Sequence, residues 1–190
     1  MLKIAITGNI ASGKSKVEKM LAEKGFTIYD TDKLAHDVLD GINDFYGYDV
    51  FTDGKIDRKK LGNLVFKDNN IKKKLEELIH PRIKERILEL FEKHKNEDYV
   101  FISVPLLYEA GFEHLFDKVL LIYIDKNIQL TRLMKRNNFT EEEALSRINS
   151  QLSYDEKLKK ADYTIDNSSD ISKLQENVEI FCENLSRLTK

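Results

Sequence analysis

The sequence LKIAITGNIASGKS at residues 2–15 gives the strongest indication of the fold of this chain. Its first six residues, Leu2–Thr7, form a mostly apolar run that predicts a strand, and GNIASGKS follows at Gly8–Ser15. A glycine, four free positions and then Gly-Lys-Ser, placed between a strand and a helix, is typical of a loop that binds the phosphates of a nucleoside triphosphate. The alternative is a glycine-rich turn without a ligand, and the flanking strand and helix favour the phosphate-binding interpretation.

Each residue type in this loop suits a phosphate. Gly8 and Gly13 allow the backbone to curl so that its N–H groups point inward, and the start of a helix adds partial positive charge. Lys14 is long enough to reach the β- and γ-phosphates, and the hydroxyl of Ser15 can bind Mg²⁺. The sequence therefore predicts a chain that binds a nucleoside triphosphate together with magnesium.

Composition narrows the class of protein. The chain has 190 residues, of which 41% are hydrophobic and 34% charged, as in ordinary globular proteins of one or two domains. A net charge of -2 is not typical of a nucleic-acid-binding protein, which is usually basic. The N-terminal MLKIAIT is too short for a signal peptide, and no run reaches the length of a membrane span. The single cysteine, Cys182, excludes an intramolecular disulfide and a cysteine zinc cluster, so we expect a cytoplasmic protein.

Five short apolar runs predict parallel strands that are covered on both faces. They are Leu2–Thr7, Phe26–Asp30, Tyr99–Pro105, Val119–Ile124 and Tyr163–Asn167. Two mostly helical stretches interrupt the alternation of strands and helices. We expect an α/β fold of the P-loop NTPase type, a three-layer sandwich with a five-stranded parallel sheet, forming one kinase unit. The core would take residues 1–30, 99–125 and 161–190, an insertion at 31–98 would hold the acceptor, and a second at 126–160 would close as a lid.

Local signals predict where several helices begin and end. Gly25 is typical of the position just after a helix, and His80-Pro81 is typical of a helix start because proline fits the first turn. Thr140 with Glu143 matches a capping box. Ser168, Ser169 or Asp170 would begin the last helix.

Acidic residues follow the second predicted strand. In an open parallel sheet, ligands bind beyond the carboxyl ends of the strands, so Asp30 and Asp32 are expected beside the phosphate loop. A carboxylate there could accept the proton of an attacking hydroxyl or help to hold magnesium. Alternatively, Asp30 only caps the following helix. Near its end, the third run has Ser103 at a place where many phosphate-loop enzymes have an acid that orients magnesium.

Basic residues of the two insertions are candidates for contact with anions. Arg132 and Arg136 lie four residues apart on one predicted helix face, and an arginine from a lid can stabilise a transferring phosphoryl group. They could also be solvated surface residues, although for Arg136 we favour function. Arg82 belongs to a basic series that is more typical of a solvated face than of contact with an anionic acceptor. His80 could be a helix cap or a substrate contact.

Several landmarks in order make the chain resemble the dephospho-coenzyme A kinase family, which phosphorylates the ribose 3′-hydroxyl of dephospho-CoA. The likeness covers almost the whole chain. The matching stretches are GNIASGKS from Gly8, DTDKLAHDV from Asp30, DGKIDRKKLGNLVF from Asp53, HPRI from His80, VPLLYE from Val104, QLTRLMKRNNFTEEEALSRINSQ from Gln129 and ADYTIDN from Ala161.

The resemblance implies roles for individual residues. Asp30 would be the base that takes the proton of the 3′-hydroxyl, and Asp32 would help to position the acceptor. The insertion containing His80 and Arg82 would form much of the CoA-binding region, and Arg136 would be the lid arginine that contacts ATP. The phosphates of ATP, bound with Mg²⁺, would be held by the loop residues Gly8, Asn9, Ala11, Ser12, Gly13, Lys14, Ser15 and Lys16.

The chain departs from the family's pattern at two positions. Ser103 stands where the family often has an acid, and Lys16 stands where it often has threonine, although the backbone N–H is the group that contacts phosphate there. The partners implied are the two small-molecule substrates alone, with no nucleic acid, membrane or obligate protein partner.

Two other functions compete with this interpretation. The nearer is a nucleoside monophosphate kinase or another small-molecule kinase with a phosphate loop. The other is a nucleotide-driven switch, but guanine recognition in such proteins usually needs an Asn-Lys-x-Asp run, and the nearest candidate, IDKN at Ile124–Asn127, has the wrong order.

Overall fold

The computed structural model describes residues 1–34, 48, 50–52 and 55–187, which divide into two compact units. The first unit comprises Met1–Tyr29 and His94–Lys190, and the second comprises Asp30–Lys93. The predicted acceptor insertion at 31–98 and two of its landmarks include residues 35–47, 49 and 53–54, which lie outside the described residues. Within the described parts of the chain, no helix combines the length and apolar character needed to cross a membrane.

A five-stranded sheet forms the centre of the fold. Its strands are β1 (Leu2–Thr7), β2 (Ile28–Asp30), β5 (Tyr99–Ser103), β6 (Lys118–Tyr123) and β7 (Tyr163–Asp166), in the order β2-β5-β1-β6-β7. β1 runs parallel to β5 on one side and to β6 on the other, and β6 runs parallel to β7. The predicted parallel sheet is confirmed, with strand ends shifted by up to two residues from the predicted bounds.

Both faces of the sheet are buried. Ile4 and Ile6 of β1 point to one face, where they pack with Val17 and Val178 in a core that is at most a few per cent exposed. Ala5 points to the opposite face, since side chains alternate along a strand, and it is also fully buried. This double burial explains why the strands are continuous apolar runs, and it confirms the predicted three-layer arrangement.

The helices of the first unit confirm the predicted capping signals at Gly25, Thr140 and Asp170. They are α1 (Lys14–Glu23), α4 (Lys126–Asn137), α5 (Glu141–Asn149), α6 (Tyr154–Leu158) and α7 (Ile171–Ser186). Gly25 follows the end of α1 with a φ of 92°, a left-handed conformation that favours glycine. Thr140 and Glu143 form the predicted capping box of α5, and the Asp170 side chain caps α7 by accepting a bond from the N–H of Lys173.

The second unit consists of a short hairpin and two helices. β3 (Phe51–Thr52) pairs antiparallel with β4 (Lys55–Ile56), followed by α2 (Arg58–Lys67) and α3 (Asn69–Lys93). A small core of Val50, Leu61 and Ile71 holds these elements together.

The predicted helix start at His80-Pro81 is wrong, because Pro81 lies inside the 25-residue α3. The start of α3 is capped upstream by Asp68, whose side chain accepts a hydrogen bond of 2.8 Å from the N–H of Asn70. Proline removes one intrahelical hydrogen bond. The burial of Ile71 before it and of Ile83 after it keeps both halves of the helix packed and compensates for that loss.

Candidate active site

The phosphate loop lies between β1 and α1, as predicted. Gly13 is the N-cap of α1 with a φ of 85°, and having no side chain it leaves the start of the helix without a side-chain cap. The N–H groups of Lys14 and Ser15 therefore open a helix whose first donors have no intrahelical acceptor. Within the loop, the N–H of Ser12 donates a 3.0 Å hydrogen bond to the carbonyl of Asn9. The backbone of Ala11 has a left-handed conformation, with a φ of 61°. Backbone donors at a helix N-terminus suit an anion.

At two positions of the loop, neighbouring atoms leave no room for a side chain. A Cβ atom at Gly8 would lie 2.6 Å from the carbonyl oxygen of Ile122. A Cβ atom at Gly13 would lie 2.1 Å from Nδ2 of Asn167. The close approach of the neighbouring elements thus fixes both positions as glycine, independently of any ligand.

Residues of the predicted lid hold the loop from outside. Nδ2 of Asn9 donates to the carbonyl of Leu152 over 2.9 Å, and the N–H of Ile10 donates to Oε1 of Gln151 over 2.8 Å. From α4, Nε2 of Gln129 donates to the carbonyl of Ile10 over 2.8 Å. Three hydrogen bonds therefore attach the first half of the loop to residues more than one hundred positions later in the chain.

The end of β7 holds the second half of the loop. Nδ2 of Asn167 donates a buried 2.7 Å hydrogen bond to the carbonyl of Ser12. The carbonyl of Asn167 in turn accepts a 3.2 Å bond from Nη2 of Arg132 on α4. Arg132 is thereby positioned near the loop, whereas Arg136 is exposed and donates to the side chain of its neighbour Asn137.

Three buried polar atoms surround the loop without a well-formed hydrogen bond among the described residues: Oδ1 of Asn9, Oγ of Ser12 and the hydroxyl of Tyr154. Burial raises the pKa of Tyr154 far above that of an ordinary tyrosine, so the hydroxyl is neutral at physiological pH. Buried polar atoms normally have partners. The backbone of Asn9 and the side chain of Ser12 lie within reach of the Tyr154 hydroxyl and partly oppose the rise in its pKa, so these groups contact one another beside the loop.

Lys14 is charge-paired in this structure. Its Nζ atom lies 2.8 Å from Oε1 of Glu18, one turn further along α1, and it also contacts Oγ of Ser103 at the end of β5. Both side chains of the ion pair are shielded, with 13% of Lys14 and 16% of Glu18 exposed. The ammonium group is thus held at the carboxyl end of the sheet, on the side where the loop begins α1.

The oxygen atoms around Lys14 suit a magnesium ion. Mg²⁺ prefers oxygen ligands, keeps several waters and takes only one or two protein ligands when it is bound with substrate phosphates. Ser15, Glu18 and Ser103 offer a hydroxyl, a carboxylate and a second hydroxyl in this region. Among the described residues, no group of three or more His, Cys, Asp or Glu side chains is placed to hold a metal ion by itself.

Asp30 is the last residue of β2, and its Oδ1 atom accepts a 2.9 Å hydrogen bond from the N–H of Asp32. A helical segment begins at residue 31, so this bond is the capping interaction that the alternative interpretation of Asp30 predicts. The same bond fixes the direction of the Asp30 carboxylate, which is partly buried, while Asp32 is exposed. A capping role and a catalytic role are compatible, because a carboxylate has several acceptor positions.

The two basic candidates of the second unit lie on α3. His80 is half-buried, and burial lowers its pKa below that of an ordinary histidine, although the charge of Glu76 opposes this effect. Arg82 is exposed. Because His80 and Arg82 are two residues apart in a helix, their side chains point in different directions.

Sequence reasoning missed several residues that hold the loop. Glu18 is in contact with the loop lysine four positions before it, a spacing that was readable from the sequence. Gln129, Gln151 and Asn167 gave no such signal, because their bonds to the loop depend on how the chain folds back. Of these three residues, Asn167 could have been suspected from the sequence, because it lies at the end of a predicted strand and ligands bind beyond the carboxyl ends of parallel strands.

A cavity of about 810 Å³ opens beside the loop. Its walls include Asn9, Gln129 and Tyr154, together with the carboxylates of Asp125 and Asp166. Negative charge in the lining favours a neutral or cationic group over phosphate. The triphosphate is therefore expected at the backbone donors of the loop and not in this cavity.

Known proteins are similar to this chain in sequence and in fold over nearly its whole length. A model of the dephospho-CoA kinase family matches residues 2–173. The dephospho-CoA kinase of Oceanobacillus iheyensis is 43% identical over 186 residues, which cover 92% of this chain and 94% of the relative.

Two solved structures superpose on it closely. The crystal structure of TT1252 from Thermus thermophilus has a TM-score of 0.82 at 31% identity, with 97% of both chains covered. The dephospho-CoA kinase from Campylobacter jejuni has a TM-score of 0.75 at 33% identity, covering 99% of this chain and 98% of the other. The expected fold class and the expected family are both confirmed.

Proposed function

The chain belongs to the dephospho-CoA kinase family, and from this premise we propose that it transfers the γ-phosphoryl group of ATP to the ribose 3′-hydroxyl of dephospho-CoA. The products are coenzyme A and ADP. One observation carries the proposal: a phosphate loop with a shielded Lys14 lies inside a chain that matches a family member over 95% of its length. We also propose that the enzyme is cytoplasmic and uses two free small molecules, without an obligate protein partner.

We propose that the loop holds the triphosphate through backbone donors and Lys14. The proposed contacts are Gly8, Asn9, Ala11, Ser12, Gly13, Lys14, Ser15 and Lys16. Phosphoryl transfer proceeds through a loose transition state, so positioning and charge stabilisation make up most of the catalysis. The bonds from Gln129, Gln151 and Asn167 support this role, because they fix the loop before ATP arrives.

Magnesium bound to the phosphates would neutralise charge that develops on the transferred group. We propose that the hydroxyl of Ser15 is its protein ligand. The oxygen-rich surroundings of Lys14 support the fit.

We propose that Asp30 accepts the proton of the attacking 3′-hydroxyl and that Asp32 helps to position the acceptor. Asp30 ends strand β2, and the phosphate loop follows the end of β1 in the same sheet, which is where open parallel sheets bind ligands. The bond from the N–H of Asp32 supports the role by orienting the carboxylate. In a loose transition state the proton is transferred late, so orientation of the hydroxyl is a large part of what Asp30 does.

We propose that Arg136 contacts ATP when the lid closes, and that His80 and Arg82 contact the acceptor. Arg136 lies on the face of α4 that also carries Arg132, and Arg132 reaches the end of β7 beside the loop. The exposed position of Arg136 is consistent with a side chain that binds only when nucleotide is present. The half-buried His80 is neutral at physiological pH and can accept or donate a hydrogen bond.

A coupled assay for ADP release tests the activity. Purified protein is incubated with ATP and Mg²⁺, first without acceptor and then with dephospho-CoA, AMP, CMP, dTMP or shikimate. We expect ADP release well above the acceptor-free blank only with dephospho-CoA. Equal or faster turnover of a nucleoside monophosphate or of shikimate would replace this proposal with the rival kinase function.

A further inference from the structure

The end of strand β5 lacks the acid that phosphate-loop enzymes use to orient magnesium. In such enzymes the metal is held by the loop Ser or Thr and by an aspartate at the end of a neighbouring strand. Here that strand ends in Ser103, whose hydroxyl contacts Nζ of Lys14. The same Nζ atom lies 2.8 Å from Oε1 of Glu18. Glu18 and Ser103 therefore both contact the ammonium group of Lys14. The carboxylate of Glu18 thus lies near the end of β5, where the strand itself has no acid.

The position of Glu18 on α1 matches the loop serine. Glu18 follows Ser15 by three residues, so the two side chains lie on one face of the helix. Ser15 supplies the hydroxyl that the loop motif assigns to magnesium. The carboxylate of Glu18 thus lies about one helical turn from Ser15, and it contacts the lysine that also contacts Ser103.

The charges around Glu18 change when a triphosphate binds. In this structure Lys14 neutralises Glu18, and both side chains are largely shielded from solvent. The loop motif requires Lys14 to turn toward the β- and γ-phosphates. When Lys14 turns to the phosphates, the shielded carboxylate of Glu18 loses part of its ion pair. Its charge is then destabilised unless another cation approaches it. The hydrated magnesium ion that accompanies ATP is a cation of the right chemistry at that place.

We propose that Glu18 is a positioning residue for magnesium: its carboxylate orients the hydrated ion bound with ATP and replaces the acid that β5 lacks at Ser103. The inference rests on the proposed use of ATP. It assigns no direct contact with the acceptor and no proton transfer to Glu18. It also explains why an acidic side chain stands so close to a phosphate site, where its charge alone would repel the nucleotide.

The test compares nucleotide affinity with and without magnesium. The dissociation constant of the non-hydrolysable analogue AMP-PNP is measured by calorimetry in Mg²⁺ and again in EDTA, and the ratio reports how much the metal tightens binding. Glu18→Gln keeps an oxygen that can accept a bond from Lys14 but removes the charge. We expect this variant to lower the ratio by about 10-fold or more, the usual effect of losing an outer-sphere partner of a metal.

Two further variants make the result specific. Glu23→Gln on the same helix is the matched control, since Glu23 also pairs with a lysine four residues away, but over 3.9 Å and with 65% of its side chain exposed. It is expected to leave the ratio unchanged. In the double variant Glu18→Gln/Ser103→Asp, the acid is returned to β5, and the ratio is expected to recover.

Three outcomes overturn the inference: an unchanged ratio in Glu18→Gln, an equal fall in Glu23→Gln, or no recovery in the double variant. If Glu18 only neutralised Lys14, Glu18→Gln would tighten AMP-PNP equally in both conditions and the ratio would stay constant. No acceptor is present in this experiment, so an error in the acceptor assignment does not affect it. Failure of the natural protein to bind AMP-PNP in either condition would overturn both the inference and the proposed use of ATP.

Discussion

The side-chain amide of Asn167 donates a 2.7 Å hydrogen bond to the carbonyl of Ser12, and so joins the end of β7 to the phosphate loop. The two residues are 155 positions apart, and the bond is buried. A loop held in this way keeps its donors in place before the nucleotide arrives, which lowers the entropy lost on binding.

Asn167→Ala is expected to weaken nucleotide binding and to lower the free energy of unfolding by about 1–3 kcal/mol, because the carbonyl of Ser12 would be left buried without its partner. Denaturant unfolding and AMP-PNP titration measure the two effects. Asn177→Ala is the matched control, since the Asn177 amide also bonds a carbonyl at the end of β7, that of Asp166 over 3.0 Å. It should cost stability and spare nucleotide affinity; an equal loss of affinity in both variants would contradict the role of Asn167.

Gly13→Ala is expected to abolish nucleotide binding. The new Cβ atom would lie 2.1 Å from Nδ2 of Asn167. The alanine would also have to adopt the left-handed backbone conformation of Gly13, with a φ of 85°. Gly25→Ala separates the two effects, because Gly25 has a φ of 92° but nothing within 4 Å of the added carbon. That control should cost about 1–2 kcal/mol for the backbone conformation alone. Thermal unfolding and AMP-PNP binding of the two variants are compared, and equal behaviour would show that the contact with Asn167 is unimportant.

Asp30→Asn is expected to spare ATP affinity and to depress kcat, because the amide keeps the size of the side chain but cannot accept the proton of the 3′-hydroxyl. The coupled assay with dephospho-CoA gives kcat, and calorimetry with AMP-PNP gives the affinity. The cap to Asp32 is retained, since the amide oxygen can still accept the bond from the N–H group. A kcat close to that of the natural protein would remove Asp30 from the reaction.

Glu109→Gln is expected to destabilise the fold by about 3–5 kcal/mol, because it leaves the charge of Lys157 buried without its partner. Nζ of Lys157 lies 2.8 Å from Oε1 of Glu109, and the Lys157 side chain is fully buried. No acceptor among the described residues gives that ammonium good hydrogen-bond geometry, so the contact is mainly electrostatic. Denaturant unfolding measures the loss.

The exposed pair of Lys173 and Glu176 supplies the control for this variant. Glu176→Gln should change the free energy of unfolding by less than about 1 kcal/mol, as is usual for surface ion pairs. The double variant Glu109→Gln/Lys157→Met should recover part of the lost stability, because a buried apolar side chain carries no charge that needs a partner. A single variant as stable as the natural protein would contradict this assignment, because the charge of Lys157 would then not depend on Glu109.

His80 is expected to make stability depend on pH below about 6.5. Burial lowers its pKa, so between its folded and unfolded pKa values the unfolded chain binds more protons than the folded chain. The free energy of unfolding therefore rises with pH through that window, and the penalty is absent once the pH exceeds the unfolded value. Denaturant unfolding at pH 5 to 8 should show a shallower slope in His80→Gln, and an unchanged slope would contradict the assignment.

The framework of this protein could be predicted from local patterns in the sequence. The run from Leu2 to Ser15 fixes a strand, a phosphate loop and a helix, because hydrophobic pattern and loop chemistry act over neighbouring residues. Continuous apolar strands require a sheet covered on both faces, and the capping signals at Thr140 and Asp170 act within one turn. The ordered landmarks were sufficient to identify the family.

The later residues that hold the loop, in contrast, are determined by how the whole chain folds. Gln129, Gln151 and Asn167 reach the loop because parallel strands bring their carboxyl ends to one edge, and no local pattern records that approach. The course of α3 through Pro81 was likewise decided by packing, since burial on both sides of the proline outweighs one missing hydrogen bond. Short-range interactions can be predicted from neighbouring residues, whereas these long-range interactions form only when the whole chain folds.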